Sequence, residues 1–318
     1  MKLFRRQLLK QLLFGGFTLS TLGVILMKFM NNNKKKVKFS YGVKDRHWVG
    51  DGFYVHGLLR PSEKLNQFIS PFILMDYASP MRFESTDRPK GVGEHPHRGF
   101  ETVTFAYQGE VEHLDSSGGG GVIGTGDVQW MTAASGVVHN EFHSKAFSKK
   151  GGIFEMVQLW INLPAKYKMS KPKYQGIKNQ NIPEVKIQEG ATLRVVAGNF
   201  NGTKGPAKTY TEINIFDLKS TSSNEFSFTF KKQSNTILLI LSGSVVNDKT
   251  KYEEKNVVIF DHSGENISFK SSENFKGLLL NGDPINEPMV AHGPFVMNTV
   301  QEINEAILDY QNGKMGKL

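Results

Sequence analysis

The hydrophobic pattern alternates over most of the chain and follows helical spacing only near its end. Runs rich in β-branched and aromatic residues, at 102–107 (TVTFAY), 111–115 (VEHLD) and 128–132 (VQWMT), are separated by turn chemistry at Gln108-Gly109-Glu110 and at residues 122–127. Such residues suit a pleated, half-buried surface, and the glycines mark reversals. Upstream, Trp48, Phe53, Tyr54, Val55, Leu58 and Leu59 suggest further strands, as do residues 71–77. Residues 148–152 read as a loop, and 154–162 (FEMVQLWIN) as a strand with Phe154, Met156, Gln158 and Trp160 on one face. Residues 116–121 (SSGGGG) read as a hairpin loop, because the Gly-Lys-Ser/Thr ending and following helix of a phosphate cradle are missing.

The second half repeats the rhythm at 191–197, 213–218, 226–230, 236–241 and 256–260, after a lysine-rich stretch carrying Pro164 and Pro172. A chain of 318 residues has room for two such domains. The pattern predicts an all-β protein of two antiparallel barrels or sandwiches in tandem. The expected boundaries are a leader at 1–36, a first barrel at 37–165, a linker at 166–184, a second barrel at 185–298, and a helix and tail at 299–318. In the last segment Val300, Ile303, Ile307 and Tyr310 fall at helical spacing. Asn298 or Thr299 can cap that helix with Glu302 near N3, Gly313 fits its stop, and it is expected to pack on a barrel.

Alternation also organises the chemistry. In Glu94-His95-Pro96-His97 an extended strand puts both imidazoles on one face, and His139 and Glu141 repeat that spacing. If the two strands are neighbours, three imidazoles and one carboxylate converge on one point, which is a metal site. The chain has no cysteine, so histidine and carboxylate must supply the ligands, and Fe, Mn, Co, Ni and Cu all suit them. His113 and His143 read as strand or rim residues, and His56 as a residue lining the pocket or supporting a ligand.

Charge changes the picture mainly at the N-terminus. The net charge of +9 is supplied by nine lysines and arginines within residues 1–38, where no acid occurs, and the remainder is neutral. The folded body therefore offers no bulk reason to bind nucleic acid. Residues 11–27 (QLLFGGFTLSTLGVILM) carry no charge, a length between a signal-peptide core and a full membrane span. Arg5-Arg6-Gln7-Leu8-Leu9-Lys10 resembles a twin-arginine export signal, and no small-x-small cleavage site follows. An N-terminal hydrophobic helix is expected, as signal peptide or membrane anchor, giving an exported (periplasmic) or membrane-attached bacterial protein. The lysines at 34–36 oppose outward translocation, which leaves the cytoplasmic face open.

The His-x-His pair, the later Gly-rich turn leading to His139, and the strings HPHRGFETVT, GDVQWMTAASGVVHNE and LWINLPAK resemble the pirin family of two-domain cupins. Residues 282–288 and 292–299 are similar to the closing motif of that family. The resemblance implies two cupin (jelly-roll) barrels with metal only in the first, since no second His-x-His occurs. It implies His95, His97, His139 and Glu141 as ligands, Fe(II) as the favoured ion, and Glu101 as a structural or supporting residue. It further implies an activity like that of quercetin 2,3-dioxygenases, which open a flavonol or related enolic or phenolic ring with O2. There Glu141 would accept the substrate proton. The alternative is a redox-sensing, iron-binding transcriptional co-regulator without catalysis.

Overall fold

The computed structural model describes residues 33–318 and is built mainly of antiparallel strands. A seven-stranded sheet runs, edge to edge, through Lys173–Ile177, Val128–Thr132, Phe100–Gln108, Gly152–Asn162, Phe72–Phe83, Phe53–Leu59 and His47–Val49. Against one face lies a four-stranded sheet of Gly91–His97, Val137–His143, Val111–Asp115 and Gly120–Ile123. The second half repeats the scheme. Its seven-stranded sheet is Val37–Gly42, Asn256–Phe260, Asn235–Ser242, Phe275–Gly282, Ile213–Ser220, Ala191–Ala197 and Glu184–Gln188. Its four-stranded sheet is Glu225–Thr229, Asn266–Ser271, Val245–Asn247 and Thr250–Tyr252.

The long strand Phe100–Gln108 is buried along nearly its whole length, its polar Glu101, Thr102 and Thr104 included. Val103, Phe105 and Tyr107 join a core shared with Ile213, Leu239 and Leu278 of the second half. Ala106, on the other face, joins the interior of the first barrel with Val111 and Phe154. Both faces are therefore buried. The two large sheets stand back to back across that shared core, and each barrel keeps its own interior, the second lined by Phe216, Phe226, Phe228 and Phe269.

Several sequence expectations change. The leader expected at 1–36 overlaps Asn33 to Lys36, which lie on the second barrel: the buried Lys35 donates from Nζ to the carbonyl of Ser234 at 2.8 Å, and the Lys36 amide to Asp261 at 3.0 Å. The expected hydrophobic helix at 11–27 falls outside the described residues. Among those described, no helix is long and apolar enough to cross a membrane. Val37–Gly42, assigned by position to the first barrel, pairs with Asn256–Phe260 of the second. Alternation specifies a strand but not its partner. The stretch 166–184, read as linker, supplies Lys173–Ile177, which pairs with Val128–Thr132.

Two short helices add to the expected pattern. Glu63–Ile69 is capped by Ser62, whose side chain accepts from the Leu65 amide. Lys145–Lys150 is capped by Ser144 and overlaps the loop expected at 148–152. At the C-terminus the hairpin of Val290–His292 and Phe295–Met297 packs, with helix Val300–Gln311, on Val138 of the first barrel rather than on the second. The helix carries the expected cap, with Thr299 and Glu302 bonded reciprocally.

Candidate metal centre

Strand register brings the predicted ligands together. His139 stands directly opposite His95 in the pairing of Val137–His143 with Gly91–His97, and Val137 opposite His97. The imidazole centroids of His95, His97 and His139 are 4.2 to 4.9 Å apart. One ring nitrogen from each lies within 4.8 Å of the others. A bulge between His139 and Glu141 shifts the register, and Glu141 groups within the same limit with His139 and His113. The three imidazoles thus form one cluster, and the carboxylate adjoins it through His139. His97 and His139 are buried, whereas His95 is half-buried and forms the open side.

Hydrogen bonds fix which nitrogens face inward. His95 Nδ1 lies 2.8 Å from the Gly93 carbonyl, and His97 Nδ1 lies 3.3 Å from that of Pro294 in the C-terminal hairpin. A carbonyl only accepts, so each Nδ1 carries a proton, and in the neutral ring the lone pair is left on Nε2. His139 Nε2 is buried and has no hydrogen-bond partner among the described residues. Burial, reinforced by His95, pushes the His97 imidazole down to about 3. Burial, with the neighbouring histidines, drives His139 well below its ordinary value. Both rings are neutral near pH 7, the form that ligates. Three convergent imidazoles, one with a buried and unpartnered Nε2, make a donor set that fits a first-row transition metal.

Glu141 is held by two amides. Gln129 Nε2 donates to its Oε1 at 2.9 Å and Gln158 Nε2 to its Oε2 at 2.7 Å. The amide oxygens are occupied in turn, by the Tyr174 hydroxyl on Gln129 and the Trp160 indole N–H on Gln158, each at 3.3 Å. Trp160 also stands 5.1 Å from His97 and 4.2 Å from Phe100, which gives the site an aromatic wall.

Other candidates fall elsewhere. Glu101 accepts from the Thr132 hydroxyl at 2.6 Å on the face turned away from the imidazoles, where burial raises it to about 7. His143 lies against Phe83 and Phe154, and His56 bonds to the Asp45 carbonyl at 3.2 Å. His113 touches the site directly, its Nδ1 lying 3.2 Å from His139 Nδ1. Sequence reasoning missed Gln129, Gln158, Tyr174, Asp115 and Pro294. Only Asp115, two residues from His113 on one strand, repeated a signal already in use.

Comparison with known proteins agrees with this architecture. Residues 55–161 match the pirin family and residues 215–316 the pirin C-terminal cupin domain. A crystal structure of quercetin 2,3-dioxygenase from Acinetobacter baumannii is 49% identical, covers 89% of this chain and 99% of its own, and superposes with a TM-score of 0.86. A Pseudomonas aeruginosa protein that carries a provisional quercetin 2,3-dioxygenase name is 44% identical over 88% of this chain and 98% of its own. A pirin-like protein of Solanum lycopersicum is 38% identical over 84% of this chain and 88% of its own. With both cupin halves matched and relatives this similar over nearly their whole length, the chain belongs to the pirin family.

Proposed function

We propose that the first barrel holds one divalent transition metal on His95, His97 and His139, with Glu141 beside it as ligand and proton acceptor. On this reading the protein is a dioxygenase of the quercetin 2,3-dioxygenase type. The observation that carries the proposal is the convergence of three imidazoles, with the buried Nε2 of His139 unpartnered. Relatives named for that activity support the choice of reaction. Fe(II) is the ion favoured by the family resemblance, and Mn, Co, Ni or Cu would suit the same donors.

When bound, the metal would acidify the 3-hydroxyl of a flavonol and bring the electron-rich ring and O2 together. The chain's own groups do the rest. Glu141 Oε2 takes one hydrogen bond, from Gln158, and keeps a lone pair for the substrate proton. Gln129 and Gln158 fix the direction of that carboxylate, and the half-buried Trp160, backed by the fully buried Phe100, presents flat apolar surface to a planar phenol. The half-buried His95 marks the way in. Both atoms of O2 end in the ester-linked product, the carbon bearing the 3-hydroxyl leaves as carbon monoxide, and no outside reductant is consumed. Residues 1–32 would serve as an export signal or membrane anchor, on the strength of Arg5-Arg6 and the uncharged run after them.

Full-length protein reconstituted with Fe(II) should contain about one metal ion per chain, and His97→Ala should lose it. An oxygen electrode should record O2 uptake with quercetin, matched by carbon monoxide release. Glu141→Gln should slow turnover by about 10²- to 10⁴-fold, the usual worth of a positioned base. Wild-type turnover in that variant would remove Glu141 from the reaction. Metal binding without O2 uptake on flavonols or catechols would overturn the dioxygenase reading and leave a metal-binding regulator.

A further inference from the structure

We propose that Asp115 and His113 form a relay that sets the tautomer of His139, so that its Nε2 is the nitrogen offered to the metal. This rests on the metal-site reading above, but the tautomer can be tested without any metal. The argument starts at Asp115, whose side chain is 1% exposed. Its Oδ1 accepts from the Ser117 amide at 2.8 Å, the Ser117 hydroxyl at 2.6 Å and the Gly119 amide at 3.0 Å. Its Oδ2 lies 3.2 Å from His113 Nε2. A carboxylate so placed accepts only, so His113 Nε2 carries the hydrogen. Neutral imidazole has a single N–H, which leaves a lone pair on His113 Nδ1.

That lone pair faces His139 Nδ1 at 3.2 Å, so the hydrogen between the two rings belongs to His139. His139 Nε2 is then unprotonated, and it is the buried atom that has no partner among the described residues. The other tautomer would bury an Nε2–H donor with no acceptor, at the full cost of its desolvation. A second proton on His113 would reverse the bond and leave an N–H on His139 Nε2 without an acceptor. The relay is also held in place. His113 is fully buried, with the Tyr174 ring stacked on it at 5.1 Å and 17°. A Cβ at Gly119 would come within 2.3 Å of Asp115 Oδ2 and 2.6 Å of Tyr174 Cβ. The glycine-rich loop thus cradles a carboxylate of the protein itself.

The test combines two measurements on the full chain. Long-range ¹⁵N–¹H NMR of the imidazoles in metal-free wild type should show His139 as Nδ1–H and His113 as Nε2–H. In chelator competition with Co(II), His113→Leu should bind about 10- to 100-fold more weakly than wild type. His113→Asn, whose Oδ1 replaces the acceptor Nδ1, should bind within a few-fold of wild type and keep its visible Co(II) spectrum. His139 protonated on Nε2 in the metal-free protein would overturn the relay, and so would wild-type affinity in His113→Leu. If that variant fails to fold, the NMR result on wild type decides. A wild type that takes up no Co(II) would instead overturn the metal site, and with it the purpose of the relay.

Discussion

His143 shares a strand and a face with His139, four residues away, yet its surroundings give it a different role. Its Nε2 donates to the Gly52 carbonyl at 2.9 Å, and the rings of Phe53, Phe83, Phe147 and Phe154 enclose it. Burial lowers it to about 4, against an ordinary value of 6.5. Between those two values the unfolded chain binds a proton that the folded chain refuses, so stability falls as pH drops through the window. The loss amounts to roughly 3 kcal/mol at about 1.4 kcal/mol per unit. His97 and His139 are lowered too, so the wild-type slope is a composite, and comparison with His143→Phe isolates one residue. Urea midpoints measured from about pH 7 to about pH 4 should fall less steeply in His143→Phe. Equal slopes would show that His143 is not excluded from protonation. At this scale the sequence displayed His95, His97, His139 and Glu141 through spacing alone. It hid Gln129, Gln158 and Tyr174, because a polar residue on a strand looks the same whether it meets solvent or a buried carboxylate. Pro294 was hidden more completely, since it contributes only a backbone carbonyl.

Elements were legible where their signal is local. The helix Val300–Gln311 announces itself by Thr299 and Glu302, and the structure shows both bonds of the box, Glu302 amide to Thr299 hydroxyl at 3.1 Å and Thr299 amide to Glu302 carboxylate at 2.8 Å. Thr299→Ala removes the acceptor and should destabilise the protein by about 1 kcal/mol. A thermal shift would read this as a lower Tm, and Thr299→Ser should largely restore it. The helix and the hairpin before it place Phe295, Met297, Ile303 and Ala306 against Val138, which adjoins His139. An unchanged Tm in Thr299→Ala would mean that neighbouring contacts alone hold the helix start. Elements whose partners are remote were not legible. Val37–Gly42 has alternating burial, as its sequence suggests, but nothing within six residues says that it joins Asn256–Phe260. Lys173–Ile177 was hidden by Lys173, the flanking Lys171 and Lys178, and Pro172, which look like linker until Val128–Thr132 pairs with it.

On the scale of the whole molecule, the two ends of the described residues tie the halves together. The first strand described, Val37–Gly42, closes the second barrel, and the C-terminal hairpin and helix close the first. Between them the large sheets share a core that includes Tyr77, Trp130 and Leu159 from one side and Ile215, Leu239 and Leu278 from the other. Polar ties cross the same boundary: the Tyr107 hydroxyl donates to Asp217 at 3.3 Å, Arg194 reaches the Gly126 carbonyl at 2.7 Å, and Lys276 pairs with Glu155. If either barrel opened alone it would expose that apolar face and strand these groups, so the two should unfold in one transition. The three tryptophans, Trp48, Trp130 and Trp160, all belong to strands of the first barrel, so their fluorescence reports on that half while far-UV circular dichroism reports on both. Phe226→Ala provides the test, because Phe226 is fully buried among Phe228, Phe269 and Phe275 inside the second barrel. Losing that ring should remove about 3 to 5 kcal/mol. With one cooperative unit, the tryptophan and dichroism midpoints coincide in wild type and move down together in the variant. With independent barrels, the dichroism curve splits and the main tryptophan transition stays where it was, with only the contribution of Trp130 from the shared core following the weakened half.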